Sequence, residues 1–135
     1  MNDSPTKVLV VDDDPDNLHM VKRFLVSKGM TVVTTDSPFA VNALLREEEP
    51  DVVVLDVMMP ALNGETVARF IRGASGEERP VILFYSAMGD VELEQLAARV
   101  PGSTFLPKTA GLRALHQAVV DAADPTSSDP SSTEQ

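Results

Sequence analysis

Five short apolar runs alternate along this chain with segments whose apolar residues recur at helical spacing, and this alternation is the strongest constraint on the fold. The first run, residues 8–11, is continuously apolar, which is typical of a strand buried on both faces of a parallel sheet. The pattern therefore predicts βα units in a three-layer α/β domain. The five predicted strands lie at residues 8–11, 31–35, 51–55, 81–85 and 103–106.

The segments between the runs predict five helices. Asp14 or Asp16 is expected to cap the first helix, with a proline in its first turn. The third helix is predicted over residues 65–72, with Phe70 among its inward-facing side chains. The fourth and fifth are predicted over residues 91–100 and 110–122.

The length of 135 residues suits one compact domain. We expect this domain to span residues 7–122, after a disordered N-terminus over residues 1–6. Residues 123–135 are a mixture of Ser, Thr, Asp and Pro that cannot bury enough apolar surface to fold, so a disordered acidic tail or linker is expected there.

Charge and composition argue against several functional classes. The formal net charge is -10 and no basic stripe is present, so direct nucleic-acid binding is not expected. No apolar run approaches the roughly 18 residues of a membrane span, and the N-terminus is acidic where a signal peptide would be basic. The absence of cysteine removes disulfides and thiolate metal sites. A cytoplasmic location without membrane contact is expected.

Polar side chains follow three of the predicted strands, at the edge where chemistry gathers in parallel α/β sheets. Asp12 and Asp13 follow the first strand, Asp56 the third and Ser86 the fourth, while Lys108 comes shortly after the fifth. Clustered carboxylates repel one another, and a hard cation such as Mg²⁺ or Mn²⁺ relieves that repulsion. Strand-end residues of these types are commonly only caps or turns. Their joint placement nevertheless favours phosphoryl chemistry, with a carboxylate nucleophile, a hydroxyl and a cation.

Two motifs carry a resemblance to a known family. Residues 8–15, Val-Leu-Val-Val-Asp-Asp-Asp-Pro, look like the opening of a response-regulator receiver domain. Residues 55–64, Leu-Asp-Val-Met-Met-Pro-Ala-Leu-Asn-Gly, resemble the phosphoacceptor strand and loop of that family. The resemblance covers residues 7 to about 122 and implies a flavodoxin-like (βα)5 fold with the strand order 2-1-3-4-5.

The resemblance also implies roles for individual residues. Asp56 would accept a phosphoryl group from a histidine kinase or a histidine phosphotransfer protein. Asp13, Asp56 and the backbone carbonyl of Met58 would hold the metal, with Asp12 assisting through a water molecule. Asp14 is better interpreted as a helix cap.

A switch is implied as well. Ser86 matches the hydroxyl that turns toward the phosphoryl oxygens, Lys108 the paired cation and Phe105 the mobile aromatic side chain of the family. Phosphate on Asp56 would draw Ser86 inward and let Phe105 bury, which would remodel the face formed by the fourth helix, fifth strand and fifth helix. An output protein would bind that face.

The sequence departs from the family pattern at two places. The interval from Pro80 to Ser86 is one residue longer than usual, so the fourth strand is expected to be shifted or bulged near its start. The family usually has a proline after the lysine, in a cis peptide, whereas here Pro107 precedes Lys108 and Thr109 follows it. A cis Lys108–Thr109 bond would cost about 3 kcal/mol, so cis and trans are both left open.

Met58 and Met88 lie two residues beyond Asp56 and Ser86. Both thioether side chains would shield an acyl phosphate without orienting water, so we hypothesise slow self-dephosphorylation. The alternative is that both side chains merely pack on their loops.

His19 and His116 lie on amphipathic helices with no second ligand at metal-binding spacing and are interpreted as ordinary surface or partly buried residues.

Two other functional interpretations remain. A pseudo-receiver would keep the fold as a phosphate-independent interaction module. A haloacid-dehalogenase-type phosphatase would use Asp12 as its nucleophile, although Asp16 stands where that family has threonine and Asp56 would then have no role. The sequence leaves open whether the chain is a stand-alone receiver or part of a longer regulator.

Overall fold

A computed structural model describes residues 5–60, 62–75 and 79–124 of the chain. Its centre is a five-stranded parallel sheet, in which β1 lies between β2 and β3, and β4 lies between β3 and β5. The predicted order 2-1-3-4-5 is therefore confirmed. The strands are β1 (Lys7–Val11), β2 (Thr31–Thr35), β3 (Val52–Leu55), β4 (Val81–Ser86) and β5 (Ser103–Pro107).

Five helices cover the sheet, and short 3₁₀ turns precede two of them, Pro38–Ala40 before the second and Lys108–Ala110 before the fifth. Asp14 caps the first helix by accepting a hydrogen bond from the Asp16 N–H at 3.0 Å. The helices are α1 (Pro15–Ser27), α2 (Val41–Glu48), α3 (Gly64–Ser75), α4 (Asp90–Arg99) and α5 (Leu112–Ala123).

The hydrophobic core has two halves, one on each face of the sheet. Alternate residues of β1 point to opposite faces, Val8 and Val10 toward α1 and α5, Leu9 and Val11 toward α2, α3 and α4. All four side chains are at most 1% exposed. Burial on both faces explains the continuous apolar character of β1 and confirms the three-layer arrangement.

The prediction of a bulge near the start of β4 was wrong. Every residue of β4 from Val81 to Phe84 pairs with β3 in unbroken parallel register. Pro80 directly precedes β4, and the Val81 N–H donates to the Asp51 carbonyl at 3.2 Å.

The prediction that Phe70 faces inward was also wrong, since its side chain is 56% exposed. Val67, Ala68 and Ile71 form the buried side of α3. With about 100° of rotation per residue, Phe70 lies roughly 100° from the centre of that buried arc. Helical spacing alone did not distinguish the two sides of α3.

The ends of the chain are described only in part. Residues 1–4 and 125–135, on which the prediction of disordered termini mainly falls, lie outside the described residues. Thr6 belongs to the folded part, because its carbonyl accepts the Thr31 N–H at 2.9 Å. Within the described ranges, no helix combines the length and apolar character that crossing a bilayer requires.

Candidate functional site

The carboxyl ends of β1 and β3 bring two aspartates together. The strands are neighbours, and their pairing continues one residue past the sheet, because the Asp56 N–H donates to the Val11 carbonyl at 3.0 Å. Asp12 is anchored in the same way on the other side, by an N–H bond to the Thr35 carbonyl at 3.3 Å. Asp12 and Asp56 are 2% and 6% exposed, so both carboxylates lie in a largely buried position.

Asp13 completes an acidic cluster with these two residues. Asp12, Asp13 and Asp56 each offer a carboxylate oxygen, and the three oxygens lie within 4.8 Å of one another. Asp13 is exposed, so the cluster is open to solvent on one side. Anionic oxygen donors with an open side fit Mg²⁺, which prefers oxygen ligands and usually retains several waters. In the described part of the chain, this cluster is the one group of three or more such ligands.

Lys108 contacts both buried carboxylates. Its Nζ lies 3.0 Å from Oδ2 of Asp12 and 3.2 Å from Oδ2 of Asp56. Burial by itself lowers the pKa of Lys108, but the hydrogen bond to Asp12 and the charge of Asp56 outweigh it, so that pKa lies above its ordinary value. Lys108 is therefore held as a cation between two anions.

The peptide after Lys108 is not cis. In the described residues, the one cis peptide bond joins Arg79 and Pro80, so the Lys108–Thr109 bond is trans. Lys108 instead begins the 3₁₀ turn before α5, and Pro107 is the last residue of β5.

The loop after Asp56 is held close to that residue. The Met58 N–H donates to Oδ1 of Asp56 at 3.1 Å, so both oxygens of this carboxylate have a donor. The Gly64 N–H donates to the Val57 carbonyl at 3.0 Å. A Cβ added to Gly64 would lie 2.5 Å from Val57 Cα and 2.6 Å from the Asp56 carbonyl oxygen. Only glycine allows α3 to begin this close to the loop.

Ser86 lies at the carboxyl end of β4 and Phe105 lies within β5, and neither side chain is hydrogen-bonded to the acidic cluster in the described residues. Ser86 is fully buried as the last residue of β4, and its Oγ accepts the Met88 N–H at 3.4 Å. Its side chain makes no hydrogen bond to Asp56 within the described residues. Phe105 is partly buried against the core beneath α4, as is Met88, whereas Met58 is 59% exposed.

One residue of the site was missed by the sequence. Asn17, in the first turn of α1, donates its Nδ2–H to Oδ2 of Asp12 at 2.5 Å. The sequence signal that could have found Asn17 is its place as the third residue of a helix that starts at the acidic motif, from which its side chain can reach Asp12.

The two histidines lie apart from the site: His19 is exposed, and His116 packs edge-on against Phe24 with ring centroids 6.5 Å apart.

The fold and the site together define a class of protein. A parallel sheet of order 2-1-3-4-5 carries, at its carboxyl edge, two buried aspartates, a third exposed aspartate and a lysine that contacts the buried pair. This is a doubly wound α/β domain with an acidic pocket at the point where the strand order reverses.

Comparison with known proteins names the family. A sequence model of the response regulator receiver domain matches residues 8–120, and the chain belongs to that family. It is 35% identical over 122 residues to the virulence sensor protein BvgS of Bordetella bronchiseptica, covering 87% of this chain and 10% of that protein. It is 34% identical over 112 residues to the response regulator MprA of a Mycobacterium species, covering 82% of this chain and 47% of the relative.

Solved structures agree. The chemotaxis protein CheY4 of Vibrio cholerae superimposes with a TM-score of 0.80 at 25% identity, over 87% of this chain and 98% of that one. A response regulator receiver domain from Clostridium thermocellum gives 0.77 at 26% identity, over 87% of this chain and 94% of that one. The chain thus spans nearly all of a receiver domain but less than half of the curated relatives cited.

The receiver-domain family has several general properties. Receiver domains belong to two-component response regulators, bind Mg²⁺ at an acidic pocket and interact with histidine kinases and output domains. They are signalling domains and are not generally classed as enzymes. The recognition of the family from the sequence is confirmed.

Proposed function

We propose that this protein accepts a phosphoryl group on Asp56 from a histidine kinase or a histidine phosphotransfer protein, and that this modification controls a protein partner. The observation that carries the proposal is the position of Asp56, a buried carboxylate beside two further aspartates and 3.2 Å from the Lys108 ammonium. The Lys108 ammonium and a metal cation held by the aspartates would together offset the charge of an incoming phosphoryl group.

The transfer makes one bond and breaks one. A carboxylate oxygen of Asp56 attacks phosphorus, the P–O bond forms as the P–N bond of a phosphohistidine breaks, and the imidazole leaves with the electron pair. Asp13, Asp56 and the carbonyl of Met58 would hold Mg²⁺ or Mn²⁺, which supplies charge neutralisation at the phosphoryl oxygens. The Met58 carbonyl accepts no hydrogen bond from the described residues, which leaves it available as a ligand.

Lys108 would contact different groups before and after phosphoryl transfer. Before transfer its single positive charge partly offsets the carboxylates of Asp12 and Asp56, which reduces the cost of burying the two together. After transfer, Asp56 has lost its negative charge to an ester-like bond, and the ammonium can turn to a phosphoryl oxygen. This cation needs only a small movement, since it already contacts the acceptor.

The output step involves Ser86 and Phe105. We propose that the buried Ser86 hydroxyl turns from the Met88 N–H toward the phosphoryl group, and that Phe105 moves from its partly buried position into the space released beneath α4. The face formed by α4, β5 and α5 would change shape, and an output protein would bind there. We expect the protein to act in the cytoplasm.

Intact mass spectrometry tests the acceptor directly. The purified protein is incubated with carbamoyl phosphate, with and without Mg²⁺, and wild type should gain one phosphoryl group only when Mg²⁺ is present. Asp56→Asn should gain none, whereas Asp36→Asn, which alters an exposed aspartate just after β2, should behave as wild type. Peptide mapping that locates phosphate on Asp12 would indicate the phosphatase interpretation, and no gain in wild type would indicate a pseudo-receiver.

A further inference from the structure

Asp12 is unusually well supplied with hydrogen-bond donors from the protein. Its Oδ1 accepts the Asp14 N–H at 3.0 Å, and its Oδ2 accepts both Asn17 Nδ2 at 2.5 Å and Lys108 Nζ at 3.0 Å. A carboxylate has about four lone-pair sites, so three are in use. Only Oδ1 retains a free site.

The two donors to Oδ2 come from opposite ends of the chain. Lys108 lies directly after β5, whereas Asn17 lies on the first turn of α1, five residues after Asp12 itself. Lys108 also contacts Asp56, so it cannot fix the orientation of Asp12 alone. The short amide bond from Asn17 holds Oδ2 on the α1 side while the ammonium is shared.

We propose that Asn17 is a positioning residue for the cation site: it holds Oδ2 of Asp12, so that the remaining lone pair of Oδ1 faces the cation or its bound water. The inference rests on the proposed function and deepens it. Because Oδ2 is fully engaged by Asn17 and Lys108, Oδ1 is the oxygen of Asp12 that remains available to the site.

The orientation has an energetic consequence for metal binding. Groups that orient metal ligands through hydrogen bonds typically change metal affinity by about 10–100-fold when removed. Without the amide, Asp12 keeps only the Asp14 N–H at Oδ1 and the shared Lys108 ammonium at Oδ2, so its carboxylate is oriented less firmly. The cation would then have to order this carboxylate as it binds, at a cost in affinity.

Direct metal titration of the unphosphorylated protein tests this. Mn²⁺ binding is followed by electron paramagnetic resonance and Mg²⁺ binding by calorimetry, in wild type, Asn17→Leu and Asn42→Leu. Leucine keeps the approximate size of asparagine but donates no hydrogen bond, and Asn42 is an exposed residue of α2. Asn17→Leu should bind both ions about tenfold more weakly, while Asn42→Leu should match wild type.

A second measurement distinguishes an effect of Asn17 on metal binding from an effect on the folding stability of the protein. The Mg²⁺ concentration that half-saturates phosphorylation by carbamoyl phosphate should rise in Asn17→Leu by the factor found for binding, and added Mg²⁺ should recover the lost rate. A variant that is destabilised in urea but binds both ions as wild type does, or more tightly, would overturn the proposal. If wild type itself binds neither ion, the proposed function fails rather than this inference.

Discussion

Replacing Gly64 by alanine should destabilise the protein, because a side chain at this position meets the backbone that joins Asp56 to Val57. The added Cβ would lie 2.5 Å from Val57 Cα and 2.6 Å from the Asp56 carbonyl oxygen, whereas carbon atoms pack best at about 3.5–4.0 Å. The contacted atoms belong to the main chain and cannot rotate away. The first turn of α3 would have to move back by roughly 1 Å.

The expected cost follows from measured effects of overpacking, which run to about 1–3 kcal/mol. The upper part of this range applies here, and the better helix propensity of alanine offsets up to about 1 kcal/mol of it. A net loss of about 2 kcal/mol remains, which corresponds to a fall in Tm of roughly 8 °C for a domain of this size.

The same substitution further along α3 provides a matched control. Gly73 lies on the same helix, is exposed, and an added Cβ would contact nothing within 4 Å. Gly73→Ala should therefore stabilise the protein by about 0.5–1 kcal/mol, since alanine loses less backbone entropy on folding than glycine.

Urea unfolding followed by circular dichroism measures both variants. Gly64→Ala should lower the midpoint and Gly73→Ala should raise it, with the slope of the transition unchanged. Equal midpoints for Gly64→Ala and wild type, or a shift of the same sign in both variants, would refute the inferred close approach of α3 to the loop after Asp56.

Two further predictions concern charge and phosphoryl lifetime. Hydrogen bonds from Arg99 and then Arg69 lower the pKa of Glu65 from 4.5 to about 2, so their stabilising effect is complete above about pH 5 and is lost as the pH falls through 2. The difference in urea midpoint between wild type and Arg99→Gln should shrink over that interval, and a constant difference would exclude this ion pair as its cause. Met58→Asn and Met88→Glu should shorten the half-life of the phosphorylated protein, measured by intact mass, because each new side chain can orient a water molecule. Unchanged half-lives would refute the shielding role of the two thioethers.

Most of the fold was predictable because the strands are buried on both faces. A strand such as β3, whose four residues are all buried, must be apolar throughout, and such runs are easily recognised. The start of α5 was less predictable: the sequence placed it at Ala110, but Lys108–Ala110 forms a 3₁₀ turn and the helix begins at Leu112. Helix ends depend on local hydrogen bonds that hydrophobic periodicity does not report.

The candidate site likewise contains residues that the sequence predicted and one that it did not. Asp12, Asp13 and Asp56 were found because they directly follow buried strands, and strand ends share an edge of the sheet. Asn17 was missed because an asparagine in a first helical turn is usually solvent-exposed or a local cap. Its bond to Asp12 depends on the angle at which α1 leaves the sheet, which is set by packing.

Lys108 shows why an atypical local sequence need not disturb a site. Its flanking residues differ from the family pattern, yet its Nζ contacts both buried aspartates. The register explains this, since Pro107 pairs with Ser86 at the carboxyl end of β4, and Lys108 therefore emerges at the edge of the sheet where the strand order places the aspartates. Because β5 is an edge strand, it can accept a proline, whose missing N–H is tolerated where no neighbouring strand requires it. The position of the cation thus depends on strand pairing, and the trans peptide after it is compatible with the same contacts.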